Sequence, residues 1–133
     1  SMAAGYSQGN EQSKVYQMGY EVSDTIRRLH RNGPCVFIGR CATDILKDTN
    51  NTLRVFIYSS DEKKRIKRII ETENVSEAEA RKMMDKRDRA RRNYFRFWTQ
   101  KDWADRDNYD LEMNTSMLST EECARILLYA MNK

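Results

Sequence analysis

A glycine-arginine pair that closes a short apolar run is a ready phosphate ligand, and Gly39-Arg40 stands in that relation to Cys35-Val36-Phe37-Ile38. Glycine lets a ligand approach the backbone closely, and a guanidinium forks onto two phosphate oxygens. The same pair also reads as a solvent-exposed arginine after a strand. A second candidate is the run Lys86-Arg87-Asp88-Arg89-Ala90-Arg91-Arg92. On a helix, Asp88 lies three and four residues before Arg91 and Arg92 and can orient a guanidinium. Arrays of cations of this kind neutralise a phosphoryl group in transfer. A solvated helix laced with ion pairs is the other reading. A third feature is the aromatic group Tyr94, Phe95, Phe97, Trp98 and Trp103 beside these arginines. Interleaved rings and cations can stack nucleobases, or the rings can simply dock the helix onto the fold.

Other chemistries are missing their parts. One histidine, His30, and three cysteines, Cys35, Cys41 and Cys123, without CxxC spacing give no zinc site by adjacency. The cysteines read as small buried hydrophobes in a reducing cytoplasm. A single histidine also leaves no Ser/His/Asp set. All five glycines fall within the first 39 residues, and none forms the GxxxxGK[ST] loop whose backbone N–H groups cradle nucleotide phosphates. No metal ligands are expected in this sequence.

Apolar periodicity supplies the elements that must position these residues. Residues 1–12 are polar and small and read as a flexible segment, with one domain over 13–133. Val15, Met18, Val22, Ile26 and Leu29 make a helical stripe that Gly33-Pro34 stops. Cys35 to Ile38 reads as a buried strand and Arg40 to Leu46 as a short helix. Leu53 to Tyr58 reads as a second strand. Ser59 and Glu62 have capping-box spacing before a helix through Ile66, Ile69 and Ile70. Ser76 and Glu79 open a long helix, with Ala80, Met84, Arg87, Arg91 and Tyr94 on one stripe. Its signal weakens over 95–108. Tyr109 to Thr115 reads as a third strand, and Ser119 and Glu122 cap a final helix. Strands alternating with helices predict an α/β fold with a parallel sheet flanked by helices. Ligands in such sheets sit beyond the carboxyl ends of the strands, here Gly39-Arg40, Ser59-Ser60 and Asn114-Thr115-Ser116.

The chain has 133 residues, 24 Lys/Arg against 20 Asp/Glu, and 33% charged residues. Residues 81–106 hold ten basic and four acidic side chains, so this segment carries +6 of a net +4 and the remainder −2. An anionic partner is expected there. No apolar run has the ~20 residues a membrane span needs, so no membrane partner is expected.

Four stretches in order carry a resemblance: GPCVFIGRCATDIL (33–46), LRVFIYSSDEKKRIKRI (53–69), MDKRDRARRNYFRFW (84–98) and NYDLEMNTSMLSTEECARIL (108–127). Together they resemble the bacterial cytidylate kinase-like family, P-loop nucleoside monophosphate kinases. The resemblance implies part of a P-loop NTPase-like three-layer fold and transfer of the γ-phosphoryl of ATP to CMP or dCMP, with Mg2+ accompanying ATP. It implies that Gly39 and Arg40 bind the monophosphate. Asp88 would help read the cytosine amino group and hold a lid, Arg92 would assist substrate binding, and Arg91 and Arg87 would act on the transferring phosphate. Three departures stand out. Cys41 follows Arg40 where these kinases commonly carry aspartate. Met84 stands where a lid arginine is expected. The amino-terminal P-loop segment is missing, so this chain is expected to supply the C-terminal, monophosphate-and-lid part and to be inactive alone. An incomplete sheet would also expose an edge strand to a second copy.

Two alternatives remain at this point. One is a non-catalytic nucleotide- or nucleic-acid-binding module using 81–106, although nucleic acid is not expected as the partner of the kinase reading. The other is an interaction domain that kept the fold and lost the chemistry.

Overall fold

The structure, a computed structural model, describes residues 2–132, with side chains described for 11–132. The chain divides into a compact unit ending at Asp48 and a second beginning at Thr49.

The first unit is helical. Helix α1 spans Met2–Asn32 and α2 spans Ala42–Ile45. The loop expected over 1–12 is therefore corrected from Met2 onward. Ala3, Ala4, Gln8, Glu11 and Gln12 are good helix formers, and the helix continues through Gly5 and Gly9 although each costs ~1 kcal/mol. Gly33 ends α1 at a φ of 149° ahead of Pro34, as expected. Ile26, Ala42 and Leu46 form the core of this unit, with Val22, Phe37 and Ile45 packed against them.

The strand expected at Cys35–Ile38 is not formed. The segment has no regular secondary structure and pairs with no strand among the described residues. Only Phe37 turns inward. Val36 and Ile38, on either side of it, are 87% and 92% exposed. An apolar run becomes a buried strand only where a neighbour takes up its backbone N–H and C=O groups, and the two helices of this unit offer none.

The second unit holds the sheet. Strands β1 (Val55–Tyr58) and β2 (Leu111–Asn114) pair in parallel, with Val55 opposite Leu111 and Tyr58 opposite Asn114. Between them run helices α3 (Glu62–Glu73) and α4 (Glu77–Thr99) and a 3-10 turn (Arg106–Asn108); α5 (Thr120–Met131) follows β2. The parallel α/β expectation holds for this two-stranded sheet. Asp61, not Ser59, caps α3 by accepting from the Lys64 N–H; the Ser59 hydroxyl takes the Asp61 N–H instead. Ser76 caps α4, and Ser119 with Glu122 completes a reciprocal capping box on α5.

Helix α4 runs through Phe95 to Thr99, beyond the expected weakening, because Phe95 is buried and anchors the last turns. Ile66, Ala80 and Met84 form the seam between α3 and α4, with Ile69, Ile70 and Val75 beside them. The docking reading of the aromatics holds for Trp103, which sits edge-on to Phe56 at 5.0 Å. Tyr109 lies 4.9 Å from the same ring and donates its hydroxyl to the Trp103 carbonyl at 2.5 Å.

Both ends of the strand pair are tied by polar side chains. At the entry, Arg54 donates its Nη2 to Asp110 Oδ1 at 3.0 Å and its backbone N–H to Oδ2 at 2.8 Å, which holds the Asp110 carboxyl below its ordinary range. At the exit, Asn114 Oδ1 accepts from the Ser60 N–H (3.2 Å), the Ser116 N–H (3.0 Å) and the Ser116 hydroxyl (2.7 Å). Its Nδ2 donates to Ser60 Oγ at 2.8 Å. One side chain thus joins the loops after β1 and β2. Asn114→Ala is expected to lower stability by about 1–2 kcal/mol, since several donors lose one partner at a half-buried site. The urea midpoint reads this out; an unchanged midpoint would mean that the two loops hold themselves.

Candidate functional site

In the first unit, the chain reverses through three successive left-handed residues, Gly39 (φ 72°), Arg40 (φ 55°) and Cys41 (φ 59°). A left-handed non-glycine residue costs roughly 1–2 kcal/mol. The turn is held by Ala42 N–H to Gly39 C=O at 3.2 Å and by Asp44 and Ile45 N–H to Cys41 C=O at 3.0 Å each. Gly39 and Arg40, both singled out from the sequence, form one wall of a cleft of about 400 Å³. The opposite wall is a single stripe of α1: Met18, Glu21, Val22, Thr25 and Ile26. Phe37 and Ile38 complete the lining. A mostly apolar cleft of this size with a cation at its rim is suited to a nucleoside-sized ligand carrying an anion.

Cys41 stands where the resemblance leads one to expect an aspartate. It is buried, and burial, with Asp44 adding to it, pushes its thiol up to about 11. A neutral thiol therefore replaces a charged acceptor at this turn.

In the second unit, the basic run on α4 divides by face. Arg87 donates to Glu73 at 3.0 Å, and Arg81 pairs with Glu62. Asp88 is clasped by Arg65: Nη1 to Oδ2 at 2.9 Å and Nη2 to Oδ1 at 2.7 Å. That bidentate contact holds the Asp88 carboxyl below its ordinary range and raises the Arg65 guanidinium. Arg91 approaches Asp88 Oδ1 at 4.0 Å, as its spacing implies, and remains 60% exposed. Arg92 is exposed and forms no ion pair among the described residues. The structure thus brings Asp88 and Arg91 together and gives Arg87 a different partner, Glu73.

Arg65 escaped the sequence reading, although its signal is present. Glu62, Arg65, Ile66, Ile69, Ile70 and Glu73 form one helical stripe. Its apolar members pack on α4, and its charged members pair with Arg81, Asp88 and Arg87. Among the aromatics, Tyr94 and Phe97 both meet Trp98 edge-on, at 6.4 and 4.8 Å.

No group of three or more His, Cys, Asp or Glu among the described residues could hold a metal ion. No described helix is long and apolar enough to cross a membrane.

Residues 1–117 match the model of the cytidylate kinase-like family. Among solved structures, an uncharacterized protein from Eubacterium ventriosum ATCC 27560 is similar at a TM-score of 0.82 and 28% identity. The match covers 89% of this chain and 66% of that one, so this chain spans less than two thirds of that protein's length. No curated protein matches.

Proposed function

Since the chain belongs to the cytidylate kinase-like family, we propose that it binds CMP or dCMP and presents it for phosphoryl transfer from ATP, as the monophosphate-and-lid part of a P-loop NTPase-like fold. The observation that carries this reading is the cleft of the first unit. Gly39 and Arg40, the pair that the resemblance assigns to the monophosphate, line the same hollow.

Arg40 takes the phosphate through charge-assisted hydrogen bonds, and Gly39 leaves the backbone uncovered beside it: a Cβ built there meets nothing within 4 Å. Arg91, exposed on α4, is assigned to the phosphoryl group in transfer, with Arg87 and Arg92 as neighbouring cations. Asp88 is a positioning residue: clasped by Arg65, it fixes the turn of α4 from which Arg91 projects. Rate enhancement would come from positioning and charge neutralisation rather than from a protein acid-base pair. Mg2+ would accompany ATP, as the resemblance implies. With no GxxxxGK[ST] stretch in these 133 residues, the chain alone is expected to bind the monophosphate without turning it over.

A second reading has its own observation. Lys82, Lys86, Arg89 and Arg96 lie on the α4 face away from α3, exposed and forming no ion pair among the described residues. Such a stripe suits a nucleic-acid backbone. Calorimetric titration at moderate salt separates the two. The kinase reading expects CMP to bind more tightly than AMP. Preference for single-stranded polymer, with affinity falling steeply as salt rises, would favour the second.

A further inference from the structure

The cleft carries a second chemical demand besides phosphate. Among the residues that line it, Glu21 is the only carboxylate, and Arg40 is the only cation. Glu21 and Thr25 stand one turn apart on the α1 wall. The Thr25 hydroxyl is occupied in donating to the Glu21 carbonyl at 2.7 Å. Among the described residues the Glu21 carboxylate accepts one long hydrogen bond, from Gln17 Nε2 at 3.4 Å, and the residue is exposed. Its oxygens therefore keep acceptor capacity on a residue that lines the cleft. At the turn opposite, Cys41 is buried and neutral and offers no competing charge. In the second unit, both Asp88 oxygens already accept from Arg65.

We propose that Glu21 is the specificity-determining residue of this cleft, accepting a hydrogen bond from the exocyclic amino group of the base while Arg40 holds the phosphate. This rests on the monophosphate reading above and deepens it. A carboxylate can only accept. It therefore favours a base that presents an amino donor at this edge, as cytosine does, and disfavours uracil, whose carbonyl oxygen there would face it. Rejection by an unmatched acceptor pair is the more effective half of such discrimination.

The test is calorimetric titration of the chain with CMP and with UMP, for the natural sequence and for Glu21→Gln. Glu11→Gln, on the same helix outside the cleft, serves as the control. Glutamine offers both an amide donor and an acceptor, so it can serve either base. The natural chain is expected to bind CMP about tenfold more tightly than UMP or better, in line with one hydrogen bond to a charged group. Glu21→Gln should bring the two within about twofold, chiefly by improving UMP, and Glu11→Gln should leave the ratio unchanged. Binding of CMP with a ratio that Glu21→Gln does not move would overturn the assignment of Glu21 and leave the monophosphate site standing. Failure of the natural chain to bind any monophosphate would overturn both.

Discussion

Arg40→Met is expected to weaken CMP binding about 10- to 100-fold and to leave binding of the phosphate-free nucleoside, cytidine, unchanged. The magnitude follows from losing charge-assisted hydrogen bonds to a phosphate, each worth about 1.5–3 kcal/mol. Methionine keeps the apolar length of the arginine stem and removes only the charged fork. The comparison with cytidine isolates that fork, because a variant that merely disturbed the cleft would weaken both ligands together. The backbone of Arg40 is left-handed, at a φ of 55°, and both residues carry that cost alike, so the fold should survive the exchange. Circular dichroism and an unchanged melting temperature would confirm it. Equal affinity of the two proteins for CMP would remove Arg40 from the site.

The largest effect on stability is expected at Arg65. Arg65→Met should destabilise the chain by about 2–3 kcal/mol at neutral pH, since it strands a partly buried carboxylate that now receives two hydrogen bonds. Arg91, 4.0 Å away and largely exposed, is too distant to replace them. The pH dependence has a definite sign. Asp88 has a folded-state pKa below its ordinary value, chiefly through the Arg65 contact. Its stabilising contribution is therefore present above the ordinary carboxylate range and is lost as pH falls through the depressed value. The natural chain should lose stability on acidification below about pH 4, whereas Arg65→Met should lose less over the same interval. Adding Asp88→Asn to Arg65→Met should recover part of the loss, because no stranded charge remains. Thermal unfolding across this pH range decides the matter. A melting temperature of Arg65→Met equal to that of the natural chain would show that the pair acts as an exposed ion pair.

What the sequence made legible follows a physical division. Elements specified by their own residues were readable: the caps at Ser76 and Ser119, the stop at Gly33-Pro34, and the apolar stripe of α4. Among elements that depend on a distant partner, β1 and β2 were readable from their apolar runs, and the segment before Gly39 was not. Cys35 to Ile38 has the composition of a buried strand, yet strand formation belongs to a pair of segments, and no partner is supplied to it among the described residues. Residues 2–12 have two glycines, and local composition understated how far a helix propagates through good formers on either side.

The site divides in the same way. Gly39 and Arg40 were singled out by type and position and line one cleft, and the Asp88–Arg91 spacing brings those two side chains to 4.0 Å. Arg65 and Glu21 were not, because their significance comes from what lies across from them: Asp88 on the facing helix and Arg40 on the facing wall of the cleft. A charged residue on an otherwise apolar helical stripe, as Arg65 is beside Ile66, is the signal that would have found the first. For Glu21, an exposed acid on a long amphipathic helix, no local signal exists.

The most direct test of a monophosphate site at Gly39-Arg40 is a titration of the isotopically labelled chain with CMP, followed by amide proton–nitrogen correlation spectra. The expected result is saturable shifts concentrated at Ile38, Gly39, Arg40 and the facing residues Glu21 and Thr25. Saturable shifts that leave 37–40 unmoved and gather on residues 81–106, or a spectrum that does not respond to CMP, would contradict it.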